Sequence, residues 1–237
     1  MTLHARATRW VALFCVGLFP LACRQGDDGP LTPVPIPFHL TFSPGDSYQY
    51  DAWLIDPYGY PSSTTFHAVQ RVLNAGGTSA GLTGVATILD STIVLRDTTD
   101  PVQQFSVGQS ADGDVYRFGL VADIARMLKL PAPPKRWDRI AGFSLGFGQT
   151  WVAGYLDSTQ LGVVYGEFSG VGEQFSVKVN GVQSIFTGYR INLYGPGVDY
   201  NFWIADSPSG FLRTVLQPGD VTYGAEFDLT ETRRAAP

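Results

Sequence analysis

Cysteine is almost absent from this chain. Its 237 residues include only Cys15 and Cys23, and no cysteine follows in the remaining sequence. A domain after residue 23 therefore cannot be held together by disulfide bonds within the chain, and its stability must come from a packed core. Cys23, which lies between an apolar run and a polar stretch that contains prolines, needs another explanation.

A hydrophobic run long enough to cross a membrane as a helix is also missing. The uncharged segment near the start, residues 11–22 (VALFCVGLFPLA), has twelve residues, whereas a membrane-spanning helix needs about twenty. Arg6 and Arg9 precede this run, and no acidic residue accompanies them. A basic start followed by a short apolar run is typical of a secretory signal peptide, which we predict over residues 1–22.

The residues that end the apolar run indicate the type of signal. Leu21-Ala22-Cys23 resembles the lipobox of bacterial lipoproteins, with Pro20 and Leu21 standing where that family usually has leucine and then alanine or serine. The resemblance implies that Cys23 becomes the first mature residue and carries fatty acyl groups on its sulfur and amino nitrogen. The protein would then be anchored on the extracytoplasmic side of the outer or the cytoplasmic membrane. Secretion without lipid, or an uncleaved anchor, is the alternative.

The stretch after Cys23 has the composition of a tether. Residues 24–37 include Pro30, Pro33, Pro35 and Pro37. Alternating prolines favour extended polyproline geometry, so these residues could hold a domain up to roughly 40 Å from a lipid surface. We therefore expect a lipidated tether over residues 23–37 and a folded domain that begins at residue 38.

Basic residues are few. After residue 22 the chain has 14 lysines and arginines against 21 aspartates and glutamates, because Arg6 and Arg9 account for two of the 16 basic residues. Phosphate binding needs a basic surface, so the resulting net charge of −7 argues against nucleic acid as a partner. One basic cluster could face anionic lipid headgroups, or could be the solvated side of a helix and its loop. It consists of Arg126, Lys129, Lys135, Arg136 and Arg139.

Helical periodicity is nearly absent, whereas turn residues are abundant, with 27 glycines and 16 prolines. Short alternating segments recur between these turns, including an Asp-Gly hairpin at 112–114 and an Asn-Gly turn at 180–181. We predict a mainly β domain over residues 38–232, an antiparallel up-and-down sheet of roughly ten strands that closes into a barrel, half-barrel or sandwich. Residues 233–237 are expected to be a frayed tail.

One short helix interrupts the strands. The segment LVADIARMLKL (residues 120–130) places its apolar residues on one side of a helix, and the prolines of PAPP end it. The residues of that apolar face are Val121, Ile124, Ala125 and Leu128.

Histidine is scarce, and this bears on catalysis. The segment GFSLG matches the serine hydrolase pattern at Ser144, but that pattern needs a helix after the serine and a later histidine. No histidine follows Ser144, since the last two are His39 and His67. We therefore expect no enzyme activity, with a hydrolase through Ser144 as a remote alternative. No ligand spacing indicates a metal or another cofactor, although Asp46, Asp51 or Asp56 could join the histidines as a third ligand.

Aromatic residues make up 13% of the chain and include Trp53, Trp137, Trp151 and Trp203. They could fill a solid core or line a cavity for an apolar or sugar-like ligand. A lipobox, a proline-containing tether and a strand-rich domain with one helix together resemble envelope lipoproteins, some of them similar to the LolA/LolB carriers, whose curved sheet encloses an apolar hollow. The resemblance favours a non-catalytic domain that binds an apolar ligand or an envelope protein. A structural or adhesive surface domain without a cavity is the alternative.

Overall fold

The computed structural model describes residues 34–90, 103–127, 130–157, 162–206, 210–217 and 224–235. The chain divides into two units, Met1–Thr32 and Pro33–Pro237, and every described residue lies in the second. The elements of the described residues are β1 (Ser47–Ile55), β2 (Phe66–Ser79), β3 (Leu82–Asp90), β4 (Gln103–Gln109), β5 (Val115–Phe118), α1 (Leu120–Met127), β6 (Trp137–Ala141), β7 (Thr150–Tyr155), β8 (Val163–Val179), β9 (Val182–Gly195), β10 (Val198–Ala205), β11 (Gly210–Leu216) and β12 (Gly224–Arg233).

The strands follow from the alternation in the sequence. In β1, the side chains of Tyr48, Tyr50 and Ala52 are buried, while those of Gln49 and Asp51 on the opposite face remain partly exposed. Successive side chains of a strand point to opposite faces, so this period of two places one face on the core. The mainly β fold with a single short helix among the described residues confirms the prediction, although there are twelve strands rather than about ten.

The sheet closes on itself at one end. Its strand order is β6-β5-β4-β3-β2-β1-β12-β11-β10-β9-β8-β7, and β12 also pairs with β8. This additional pairing is parallel and joins Glu231 to Lys178 and Thr232 to Val179. Strands β8 to β12 therefore form a closed five-stranded barrel, and the remaining strands extend the same sheet from β12 and β8. A barrel was one of the forms predicted, because closure of a sheet removes exposed strand edges, and it is confirmed in this form.

The helix packs its apolar face into the core, as predicted. Val121, Ile124 and Ala125 are each at most 1% exposed. The backbone N–H of Val121, at the first turn, donates to the carboxylate of Asp138 on β6 at 2.9 Å, which satisfies one donor that the helix itself leaves unpaired. Leu128, the fourth predicted residue of this face, lies outside the described residues. None of the described helices has the length and apolarity needed to cross a membrane.

Two predicted turns are also confirmed. Residues 110–114 connect β4 to β5, and Gly113 adopts a φ of 90°, which favours glycine. Asn180 and Gly181 connect β8 to β9 with φ values of 49° and 84°. Positive φ at both central residues is the requirement of a type I′ hairpin turn, and asparagine followed by glycine meets it.

Packed structure extends past both predicted ends of the domain. Ile36, which falls in the predicted tether, is 9% exposed, and its N–H donates to the carbonyl of Phe143 at 2.9 Å. At the other end, β12 continues to Arg233, and Arg234 and Ala235 both bind the buried carboxylate of Asp46, at 2.8 and 2.9 Å. The described part of the expected tail is therefore held against the domain rather than frayed. Residues 236–237 lie outside the described residues.

Candidate ligand groove

An open groove of about 500 Å³ lies between β9 and the loop that connects β6 to β7. Two of its apolar side chains are well exposed, Phe147 at 45% and Ile185 at 69%. Ligand sites typically have volumes of about 300–1,000 Å³ and mostly apolar linings. We call this feature the aromatic groove. Its lining residues are Ile36, Phe147, Gly172, Ile185, Phe186, Thr187, Tyr189 and Asp206.

A cluster of aromatic rings supports the groove from beneath. Phe38 stacks on Phe143 with ring centroids 3.9 Å apart, and the ring of Tyr189 meets both edge-on, at 5.9 and 5.4 Å. Phe147 contacts Phe168 at 5.3 Å and Tyr189 at 6.4 Å. Edge-to-face and offset pairs of this kind stabilise a fixed ring arrangement. The groove therefore has a rigid aromatic floor and an exposed apolar rim.

Two local features shape the groove. Gly146 has a φ of 75°, and a side chain there would place its Cβ 3.0 Å from the carbonyl carbon of Val34. Glycine therefore lets the 142–149 loop lie directly against the N-terminal segment, which brings Phe147 beside Ile36. On the opposite side, the pairing of β8 with β9 shifts register on both sides of Gly170, and such bulges bend a sheet.

The sequence analysis did not predict the residues of this groove. Ile36 lay in the expected tether, and Phe147 lay in a glycine-rich loop considered only for Ser144. Ile185 and Tyr189 follow the ordinary alternation of β9. No single segment carries a signal for the site, because its lining residues come from five segments of the chain.

The four tryptophans considered as cavity residues are not among the lining residues of the groove. Trp151 and Trp203 are buried, whereas Trp53 and Trp137 are partly exposed. Trp151 packs between Gly142 and Gly166, and its indole N–H donates to the carbonyl of Arg139 at 2.9 Å. The aromatic lining is made of phenylalanine and tyrosine instead.

Ser144 is held by charged neighbours. Its backbone N–H and its hydroxyl donate to the two carboxylate oxygens of Asp114, at 2.7 and 3.0 Å, and Arg139 donates to the hydroxyl oxygen at 3.0 Å. The serine lies in a loop between two strands, without the following helix that the hydrolase pattern requires. His39 and His67 are exposed, and His67 pairs with Asp51 at 2.8 Å.

The predicted basic cluster is interleaved with carboxylates. Asp123 on α1 forms ion pairs with Arg126 at 3.1 Å and Lys135 at 3.3 Å, both from the cluster, and with Arg117 on β5 at 3.2 Å. One carboxylate thus binds three cations. Such pairing lowers the net charge that this surface presents to an anionic membrane.

The remaining members of the cluster are also paired where they are described. Arg136 lies 3.5 Å from Asp138, and Arg139 forms its ion pair with Asp114. Lys129 lies outside the described residues. Binding of anionic lipid by the cluster stays a prediction.

Within the described ranges, no group of three histidine, cysteine or acidic side chains is placed to hold a metal ion. Asp112 to Asp114 form the hairpin turn described above. Cys23, the predicted lipidation site, lies outside the described residues.

Asp138 is the carboxyl group with the clearest perturbation. It is 1% exposed. Burial raises its pKa to about 6, while the N–H of Val121 and the nearby Arg136 oppose this rise. Its role is to join α1 to β6, away from the groove lining.

Comparison with known proteins does not assign this chain to a family, and it finds a distant similarity to a solved structure. No family model and no curated protein matches this chain. A candidate lipoprotein from Parabacteroides distasonis ATCC 8503, known from a crystal structure, aligns with 84% of this chain and 100% of its own, at 10% sequence identity and a TM-score of 0.39. A TM-score this low does not establish a shared fold, so the lipid anchor stays a prediction from residues 1–23.

Proposed function

We propose that this chain is a lipid-anchored lipoprotein of the cell envelope whose β domain binds an apolar ligand without catalysis. The observation that carries the proposal is the aromatic groove, with its exposed Phe147 and Ile185 above a packed aromatic floor. Exposed apolar side chains around a concave surface are a mark of binding sites.

The position of the groove supports a link to the anchor. Ile36 lines it, and this residue is only thirteen positions from Cys23 in the sequence. An extended tether of that length reaches about 40 Å, so the groove lies within reach of a membrane that holds the lipid. The bonds of Ser144 to Asp114 and Arg139 support a structural rather than a nucleophilic role for that serine.

The anchor is tested by metabolic labelling with a fatty-acid probe. We expect label on the wild-type protein and on Cys15→Ala, and none on Cys23→Ala. Intact-mass measurement should show a chain that begins at Cys23 with acyl groups attached. An unlabelled wild-type protein that retains Met1 would contradict lipidation.

The groove is tested with a fluorescent fatty acid as the probe. Ile185→Asp introduces a charge into the lining, and Val182→Asp makes the same type of change on the same strand at an exposed residue outside the lining (68% exposed). We expect the wild type and Val182→Asp to bind equally, and Ile185→Asp to bind at least tenfold more weakly. Wild-type affinity in Ile185→Asp would show that the fatty acid binds outside the groove, and no binding by the wild type would favour a structural surface domain.

A further inference from the structure

The aliphatic side chains that face solvent are concentrated at one end of the sheet. Among the described valines, leucines and isoleucines, the three most exposed are Val34, Ile185 and Val182, at 76%, 69% and 68%. Val182 and Ile185 follow the turn that connects β8 to β9. Val34 lies two residues before Ile36, which lines the same groove as Ile185. Exposed apolar side chains gathered in one place mark an interaction surface. We call residues 176–186 the hairpin tip.

The exposed apolar side chains of the tip lie on both sides of the hairpin. Val182 pairs with Val179, and Ile185 pairs with Ser176. Successive side chains of a strand alternate between its faces, so Val182 and Ile185, three positions apart, lie on opposite faces and about 10 Å apart along the strand. A flat protein surface would cover one of them and leave the other in water. A fluid apolar layer that the hairpin enters end-on covers both.

Several polar groups of the tip are already bonded within the protein. The backbone N–H of Asn180 donates to the carbonyl of Thr232 at 2.9 Å, and the side-chain oxygen of Asn180 accepts the N–H of Arg234 at 2.9 Å. The side-chain amide of Gln183 donates to the hydroxyl of Ser176 at 2.5 Å. Because a polar group that leaves water without a partner is costly, these bonds make it easier to dehydrate the tip. The bonds to β12 also fix its direction.

The charges near the tip suit an anionic lipid surface. Residues 174–198 contain no aspartate or glutamate, and Lys178 on the tip is exposed. Glu231, its register partner on β12, forms an ion pair with Arg233 at 2.8 Å. Asp206, the acidic residue of the groove lining, lies beyond the end of β10 rather than on the hairpin. A lysine among apolar residues can extend its ammonium group to the headgroups while its neighbours contact acyl chains.

The chain leaves the described domain at this same end, toward Cys23. The described residues begin at Val34, and a Cβ on Gly146 would lie 3.0 Å from the carbonyl carbon of Val34. Gly146 precedes Phe147 of the groove. Residues 24–33 separate Val34 from Cys23, so an anchor on Cys23 would keep this end of the domain within roughly 35 Å of a bilayer. A tethered surface meets its partner at a high effective concentration, so a small apolar contact is enough.

We propose that the hairpin tip inserts end-on into the surface of the membrane that holds the anchor. Val182 and Ile185 contact the acyl chains, and Lys178 remains at the level of the headgroups. The separation of about 10 Å between the two apolar positions matches the depth to which interfacial segments enter a bilayer. This inference rests on the lipid anchor of the proposed function, and it does not depend on which ligand the aromatic groove binds.

The test uses the full chain purified with its lipid and reconstituted at low density into vesicles of phosphatidylethanolamine and phosphatidylglycerol. A thiol-reactive fluorophore is attached at Gln183→Cys, an exposed site of the tip, or at Val152→Cys, an exposed site on β7. No cysteine follows Cys23, so the mature chain of each variant has one free thiol once that sulfur is acylated. Nitroxide-labelled lipid quenches a fluorophore that enters the bilayer. We expect roughly threefold stronger quenching at position 183 than at position 152.

Val152 is a suitable control because it lies far from the tip. It pairs with Tyr165 on β8, up to roughly 45 Å along that strand from the turn. In the chain labelled at position 183, Val182→Asp should reduce quenching by about threefold, because a charge resists entry into the apolar layer. Val152→Asp, the same change at another exposed valine, should leave quenching unchanged. Circular dichroism checks that each variant retains the fold.

Flotation of the same vesicles measures the anchor separately. A chain that floats but is quenched equally at both positions, or keeps its quenching in Val182→Asp, overturns docking of the tip and leaves the anchor intact. A chain that neither floats nor is quenched overturns both. Quenching at position 183 with vesicles in excess, from a chain that does not stay with them on flotation, supports the tip without the anchor. An emission shift at position 183 without lipid quenching means that protein covers the tip, and it overturns the proposal.

Discussion

Asp138 shows how one buried side chain connects two elements. Its carboxylate accepts the N–H of Val121 at 2.9 Å, and Arg136 lies 3.5 Å away, which fixes the start of α1 against β6. The same burial disfavours the charged form and raises its pKa to about 6. A carboxyl group that binds its proton more tightly when folded makes stability depend on pH.

The sign of that dependence follows from the raised pKa. Between the ordinary value of 3.8 and about 6, the folded protein holds a proton at Asp138 that the unfolded chain has released. This contribution to the free energy of unfolding therefore decreases as pH rises through that window, by on the order of 3 kcal/mol. Urea denaturation at about pH 4 and pH 7 should show this loss in the wild type, and not in Asp138→Asn. Asp112→Asn, at an exposed turn, should retain the wild-type dependence.

The size of the residue at position 166 is also restricted. Trp151 packs against the backbone of Gly166 and leaves no room for a side chain. A Cβ at Gly166 would overlap the indole ring, whereas a Cβ at Gly77 would come no closer than 3.4 Å to another residue, at the carbonyl oxygen of Val85. We expect Gly166→Ala to destabilise the protein by about 1–3 kcal/mol through overpacking. Gly77→Ala, measured in the same urea denaturation series, should change stability by much less. Equal effects would show that Trp151 can move aside at little cost.

At the scale of elements, β12 connects the molecule. It pairs with β1, β11 and, over two residues, β8, so the five-stranded barrel and the rest of the sheet share it. The residues after it are bound by Asp46, which is completely buried and also accepts the N–H of Ser43 at 3.1 Å. The end of β12 is thus held to the turn that precedes β1.

Loss of this carboxylate should loosen the end of β12. Asp46→Ala leaves the N–H of Ala235 without its acceptor and Arg234 with only the carbonyl of Thr41, so we expect the free energy of unfolding to decrease by about 2–3 kcal/mol. Hydrogen exchange should increase in β12 and at its pairing with β8 more than in β3 to β5. Asp112→Ala is the matched control at an exposed turn. An unchanged exchange pattern in β12 would contradict the connecting role of Asp46.

For the whole molecule, stability rests on non-covalent contacts, since no disulfide bond can form within the chain after residue 23. One hydrophobic cluster joins side chains from the N-terminal segment, the helix and most strands, including Phe38, Ile124, Phe143 and Phe202. Trp203 belongs to the same cluster, and the guanidinium groups of Arg190 and Arg213 lie 5.1 and 5.7 Å from its ring. Charged side chains of the barrel strands are therefore continuous with the apolar core.

Because no cysteine follows Cys23, reducing agents should not affect the stability of the domain. We expect the same urea midpoint and the same slope with and without a thiol reductant. A decrease in the midpoint under reducing conditions would indicate a covalent link between chains through an unlipidated Cys23. Cys23→Ala, measured under both conditions, distinguishes this outcome from an effect of the reductant on the fold.

Much of the architecture was predictable because it depends on neighbours in sequence. The alternation in β1, the apolar face of α1 and the Asn180-Gly181 turn each reflect a local period or backbone requirement. The aromatic groove was not predictable, because Ile36, Phe147 and Ile185 meet only after the sheet bends. The cross-strand pairs of the barrel were not predictable either, because a bulge shifts the register between β10 and β11.

The sequence by itself determined that no disulfide could form after residue 23, that short strands would dominate, and where several turns would lie. These properties follow from composition and from the conformations that individual residues favour. Only the tertiary structure decided that β12 would meet β8, that apolar side chains would surround a groove, and that Arg190 would lie beside Trp203. Strand register and curvature bring distant residues together, and neither is encoded in any one segment.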